Sequence, residues 1–97
     1  PLIYAPPAQS FDVSAPHDAI GYVFVRMAAG WSSDWHQTPR RQLLFVIAGE
    51  IEGTASDSTV RTLGPGAMLV MEDTVGTGHA SRVTSPEDVL AVMVHLE

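Results

Sequence analysis

The sequence predicts one all-β domain, a sandwich or barrel of short strands. No window carries sustained apolar residues at i, i+3, i+4 and i+7, the mark of an amphipathic helix. Runs rich in Val, Ile, Phe and Thr are strand-sized, and turn-forming residues divide them at roughly 8–12-residue spacing. At 97 residues there is room for a single domain, and an apolar share of 45% is enough for folding rather than disorder.

The Pro-rich opening, Pro1-Leu2-Ile3-Tyr4-Ala5-Pro6-Pro7, reads as an extended arm that packs along an edge or on a partner. With an edge strand at Phe11–Ser14 it fills residues 1–19. A barrel domain follows at 20–97, with strands at Ile20–Ala28, Arg41–Ala48, Glu50–Ala55, Thr59–Leu63, Ala67–Met71, His79–Thr84 and Val89–Leu96. The breaks hold residues that accept turn geometry: Ala29-Gly30, Gly49, Ser56-Asp57-Ser58, Gly64-Pro65-Gly66, Gly76-Thr77-Gly78 and Ser85-Pro86-Glu87-Asp88. No internal repeat, low-complexity tract or linker interrupts this order.

Composition excludes several classes. All five cations are arginine, so there is no Schiff-base amine or P-loop lysine; no Cys means no thiolate nucleophile, disulfide or thiolate metal site. Eleven acids give a net charge of −6, the wrong sign for nucleic acid. No stretch reaches the roughly 20 apolar residues that span a bilayer. The N-terminal run lacks a positively charged signal-peptide n-region, and the expected location is cytoplasmic. No G-x-S-x-G elbow occurs for serine hydrolysis. Pro1 as a tautomerase-type base does not fit, because those folds contain helices that this pattern lacks.

Strand parity concentrates attention on one segment. In an extended run His36, Thr38, Gln42, Leu44 and Val46 share one face, and Arg41, Leu43, Phe45 and Ile47 the other. Burying a polar group unpaired costs about 1–3 kcal/mol. His36 and Gln42 in register with Leu44 and Val46 therefore point to a cavity in which imidazole and amide share a ligand, water or metal.

The run from Gly30 through His36, Thr38 and Gln42 to Gly49 resembles the first cupin motif, G-x5-H-x-H-x3-E-x6-G, with its spacing intact. Thr38 stands at the second histidine and Gln42 at the glutamate. Gly64-Pro65-Gly66 looks like the opening of the second motif, and Gly76-Thr77-Gly78-His79 matches its G-x2-H end. That motif departs from the pattern in a stretch two residues longer between Gly66 and Gly76, and in Thr74 and Val83 at the usual proline and asparagine positions. Glu72–His79 is similar to an "EDTTGxGH" variant of small single-domain cupins of unassigned function.

The resemblance implies a double-stranded β-helix (jelly roll), often dimeric, with a pocket at its open mouth and a metal held by three histidines and a carboxylate. Carried over residue by residue, it gives His36 and His79 as retained ligands and Gln42 as a neutral ligand replacing the carboxylate. Losing an anionic oxygen and an imidazole weakens such a site. The expected cofactor is therefore a weakly held divalent metal (Zn²⁺, Ni²⁺, Mn²⁺, Fe²⁺ or Cu²⁺) or none, and Asp34 or Asp73 is the acid available to complete the set.

Three functional expectations follow. The first is a metal-assisted lyase, isomerase, cyclase or dioxygenase on a small organic molecule, with His36 and His79 as catalytic residues. The second is a metal-free acid–base enzyme using the same histidines, and the third a non-catalytic small-ligand module. Trp35, with Trp31, is placed at the mouth to stack on a planar substrate, beside Thr38, and Arg40, with Arg41, to bind a carboxylate. His17 reads as a loop residue and His95 as facing solvent or an interface; Met27, Met68, Met71 and Met93 read as core filler. A chain this small buries only roughly 60–70% of its unfolded surface, so a homodimer is expected.

Overall fold

The structure, a computed structural model, describes residues 2–5 and 8–96. They contain no helix and these strands: β1 Leu2–Ala5, β2 Ala8–Ser14, β3 Gly21–Met27, β4 Gln42–Ala48, β5 Ile51–Ala55, β6 Val60–Leu63, β7 Met68–Met71, β8 His79–Val83 and β9 Val89–His95. From Ile20 onward every strand expected from the sequence coincides with β3 to β9 to within one residue at each end. The opening segment differs. Leu2–Ala5 pairs antiparallel with β2 to form a two-stranded sheet of its own. Pro1, Pro6 and Pro7 lie outside the described residues.

The remaining strands form two antiparallel sheets, a four-stranded one in the order β3-β9-β4-β7 and a three-stranded one in the order β6-β5-β8. This is the double-stranded β-helix. Period-two alternation decides which side chains enter it. On β4, Gln42, Leu44 and Val46 are buried while Ile47 is exposed. Register then aligns inward rows: Val25, Ala91 and Val46, then Met93, Leu44 and Leu69, in one sheet, and Leu63, Ile51 and Val83 in the other. The core closes between them on Leu44, Val46, Ile51, Val83, Val89 and Ala91. Removing the side chain of Leu44 there costs about 2–5 kcal/mol.

Gly49 turns the chain from the first sheet to the second. Its φ is +79°, and a Cβ there would lie 2.5 Å from the Asp88 carbonyl oxygen. Only a residue without a side chain lets the turn before β9 approach so closely. The outward face of the four-stranded sheet is largely apolar, with Tyr22, Phe24, Ile47, Met68, Val70 and Leu90 all exposed and Arg26 set among them beside Phe24 and Leu90.

Two irregular segments complete one end of the barrel. The connection from β3 to β4 runs beside β8 through the isolated bridges Ser32–Arg82 and His36–His79. The connection from β7 to β8 is laced to it: the Thr38 amide donates to the Asp73 carbonyl at 3.0 Å, and the Gln37 side-chain amide donates to the Gly76 carbonyl at 2.8 Å.

Candidate functional site

His36 and His79 are distant in sequence and adjacent in space. Each backbone N–H donates to the other's carbonyl at 2.9 Å, a closed antiparallel pair. Their ring centroids are 4.5 Å apart, with the planes inclined at 59°. Gly78 makes this approach feasible. At φ +75°, a Cβ on it would overlap the His36 carbonyl.

Each ring is held by its Nδ1. The Nδ1 of His36 is 2.9 Å from the Asp34 carbonyl oxygen, and that of His79 is 2.6 Å from Asp73 Oδ2. A carbonyl or carboxylate oxygen only accepts, so both rings carry a proton on Nδ1, and Nε2 is the atom at which each ring gains or loses its second proton. Asp73 is in turn fixed by Thr38, whose hydroxyl donates to Oδ1 at 2.5 Å. Burial pushes the Asp73 carboxyl up, but the hydrogen bonds from Thr38 and His79, and the charge of that imidazole, outweigh it and hold the group below its ordinary value.

The Thr38–Asp73–His79 chain ends at a partly open cavity of about 260 Å³ between the two sheets. Leu44, Leu69 and Met71 form an apolar side of it. Asp73, His79 and Ser81 contribute polar groups at one end, and Thr59 and Arg61 at the other. The volume suits a small organic molecule.

The residues singled out in the sequence divide into groups. His36 and His79 come together; His79 lines the cavity, while His36 is exposed beside it. Thr38 is only 1% exposed and spends its hydroxyl on Asp73, so it positions the carboxylate rather than meeting substrate. Gln42 faces inward as parity requires, but it sits in the apolar rows, 5% exposed, with its amide 3.8 Å from the Met71 sulfur. Trp35 and Arg40 are exposed and outside the cavity lining, because the segment before β4 carries them over the outside of the mouth. Of the two candidate acids, Asp73 joins the site by its side chain and Asp34 only by its backbone carbonyl.

His95 is a correction. It is half-buried and pairs with Gln42 across β9 and β4, which puts it on the inward face rather than toward solvent. Sequence reasoning also passed over Gly53, Arg61 and Ser81. Their signal was parity: Arg61 is two residues from Leu63, and Ser81 lies between His79 and Val83 on one face of β8.

The donor set does not make a resident metal site. Two imidazole Nε2 atoms fall short of the three protein ligands that even an open zinc centre uses. Asp73 is committed to His79 and Thr38, and Gln42, whose amide N–H donates to the Met71 sulfur, lies outside the cavity lining. Among the described residues no group of three His, Cys, Asp or Glu side chains is arranged to hold a cation.

No curated protein matches the chain. Solved structures do. A cupin-like protein from Thermotoga maritima aligns at a TM-score of 0.65 and 20% identity, over 77% of this chain and 55% of its own. The DMSP lyase DddQ from Ruegeria pomeroyi aligns at 0.64 and 27% identity, over 89% of this chain and 41% of its own. Protein NMB1881 from Neisseria meningitidis aligns at 0.62 and 20% identity, over 91% of this chain and 90% of its own. The chain thus spans about half the length of the first two. The cupin domain family matches residues 23–95, which takes in both sheets and both histidines of the site, and the chain belongs to that family.

Proposed function

We propose that the protein is a small-molecule acid–base enzyme of lyase or isomerase type, with His79 as the proton-accepting group. The single observation that carries this is the 2.6 Å contact between Asp73 and His79 Nδ1 at the cavity wall. A carboxylate behind an imidazole fixes its tautomer and stabilises the imidazolium formed when Nε2 takes a proton. The apolar wall of Leu44, Leu69 and Met71 excludes water from the carbon being deprotonated. Once the proton is on Nε2, the substrate's electron pair either moves into a neighbouring carbonyl or expels a leaving group. His36, exposed and 4.5 Å from His79 centroid to centroid, exchanges protons with solvent at the mouth.

The DMSP lyase among the structural neighbours supports the lyase type but not its substrate, since this chain spans 41% of that protein. Metal assistance, the first expectation from the sequence, has no step here because the donors fall short. The test is deuterium uptake from D₂O into a panel of carbon acids, such as 2-oxobutyrate and acetylacetone, with chelator present. Wild type should exchange faster than His79→Asn and Asp73→Asn by on the order of 10²-fold or more. Equal rates in wild type and His79→Asn would defeat the reading, as would activity that disappears with chelator alone.

A further inference from the structure

Arg61 closes one end of a cross-strand row on the cavity wall. In the register of β6, β5 and β8, Arg61 pairs with Gly53 and Gly53 with Ser81, and all three line the cavity. A Cβ built on Gly53 would meet nothing within 4 Å. The middle of the row is therefore open space between a guanidinium and a hydroxyl. Two strand spacings separate the Cα atoms of Arg61 and Ser81 by about 10 Å. His79 lies two residues along β8 from Ser81, on the same face.

Arg61 differs from the other arginines. Arg26 pairs with Asp88 at 3.6 Å, Arg41 with Glu72 at 2.8 Å and Arg82 with Glu52 at 2.9 Å. Arg40 lies outside the cavity lining. Among the described residues Arg61 makes no ion pair within 4 Å, the Asp57 carboxylate feeling its charge only as the last and smallest of its influences, and no other arginine lines the cavity. The carboxylates on the lining are already committed, Glu72 to Arg41 and Asp73 to Thr38 and His79.

We propose that Arg61 anchors a carboxylate, so that the cavity takes a small organic monoanion whose body lies over Gly53 toward Ser81 and His79. The assignment rests on the reading of this cavity as the reaction site. A guanidinium offers two parallel N–H donors that match a carboxylate. One guanidinium with no carboxylate in direct contact, and with Asp57 already in its field, balances at most one further negative charge, which favours a carboxylate over a phosphate dianion.

The test is a pair of NMR titrations of the ¹⁵N-labelled protein with butyrate and with butyramide, which share a shape and differ in charge. Butyrate is expected to shift the backbone signals of Gly53 and Ser81 and the Arg61 Nε–H signal. Arg61→Gln should weaken it by roughly tenfold or more, and Arg61→Lys by less, since Lys keeps the charge but not the fork. Arg61 is exposed, so each variant is expected to keep the wild-type fold and the remaining spectrum. Equal binding of butyrate and butyramide, wild-type binding in Arg61→Gln, no shift at Gly53 or Ser81, or displacement of butyrate by an equal concentration of inorganic phosphate would each overturn the assignment. Binding is read without turnover. A protein that binds butyrate through Arg61 yet exchanges no deuterium refutes the acid–base reading alone. One that exchanges deuterium but binds both probes alike refutes the anchor alone.

Discussion

Gly78 lies with its bare α-carbon against the carbonyl of His36, where a side chain would overlap it. The contact sits beside the backbone pair that brings the two imidazoles together. Gly78→Ala is therefore expected to cost stability twice, through strain of about 1–3 kcal/mol at φ +75° and, added to it, through displacement of the His36 segment. Gly76 has a similar φ of +77° but open space around it, so Gly76→Ala should cost only the backbone strain. Urea unfolding of the two variants, with the nuclear Overhauser contact between the His36 and His79 rings as a second readout, separates the effects. Equal losses with the contact intact in both would refute the link between Gly78 and the histidine pair.

The Asp73 carboxyl gives a pH prediction with a definite sign. Its value in the folded protein lies below the ordinary 3.8 because Thr38 and His79 outweigh the opposing effect of burial. Between the two values the folded state binds fewer protons than the unfolded chain, so stability rises with pH. The contribution is complete above about pH 3.8 and is lost as pH falls through the folded value. Asp73→Asn keeps the size and removes the titration. Denaturant midpoints of wild type and variant should draw together as the pH falls below the ordinary value of 3.8, and curves that stay parallel throughout acid unfolding would contradict the hydrogen-bonded carboxylate.

Gln42 offers a test of the metal expectation that needs no assay of turnover. Its amide N–H donates to the Met71 sulfur at 3.8 Å, and its cross-strand neighbours on the inward face are Met71 and His95. Gln42→Met fills the same volume without a polar group, and its stability should stay within about 1 kcal/mol of wild type or exceed it. A ligand role predicts the opposite, a loss of metal-dependent thermal shift. Melting temperatures with added Zn²⁺ or Ni²⁺, and after chelator, should respond alike in wild type and Gln42→Met. A shift confined to wild type would restore Gln42 as a ligand.

Much of this architecture was legible because period-two patterning and turn residues act locally. The strand bounds from β3 to β9 follow from such signals, and so does the inward set of Gln42, Leu44 and Val46. The expectation of an inward face covered only the segment around His36. Extended to β6, β8 and β9, it would also have drawn Arg61, Ser81 and His95 inward. Other features depended on pairing across long sequence separations. Asp73 was one of two candidate acids, and only the lacing of Asp73 and Gly76 onto Thr38 and Gln37 of the β3–β4 connection decides which carboxylate reaches His79. The pairing of β1 with β2 was hidden for another reason: prolines at 1, 6 and 7 mark an extended chain without naming its neighbour.

The outward face of the four-stranded sheet carries the last prediction. Tyr22, Phe24, Ile47, Met68, Val70 and Leu90 are exposed together, and Phe24 is 78% accessible. A monomer rarely leaves a contiguous apolar patch beyond a few hundred Å² in water. Antiparallel strands give the face the same aspect when rotated by half a turn, so a second copy can meet it about a two-fold axis and bury the same residues on both sides. A stable interface needs about 800 Å² per partner, on the scale of one sheet face. We therefore propose a homodimer through this surface. Light scattering at micromolar concentration should give twice the 10.4 kDa chain mass, and Phe24→Glu should give the monomer by placing a charge at the most exposed apolar side chain of the contact. A wild-type monomer at high micromolar concentration, or a dimer unaffected by Phe24→Glu, would rule this interface out.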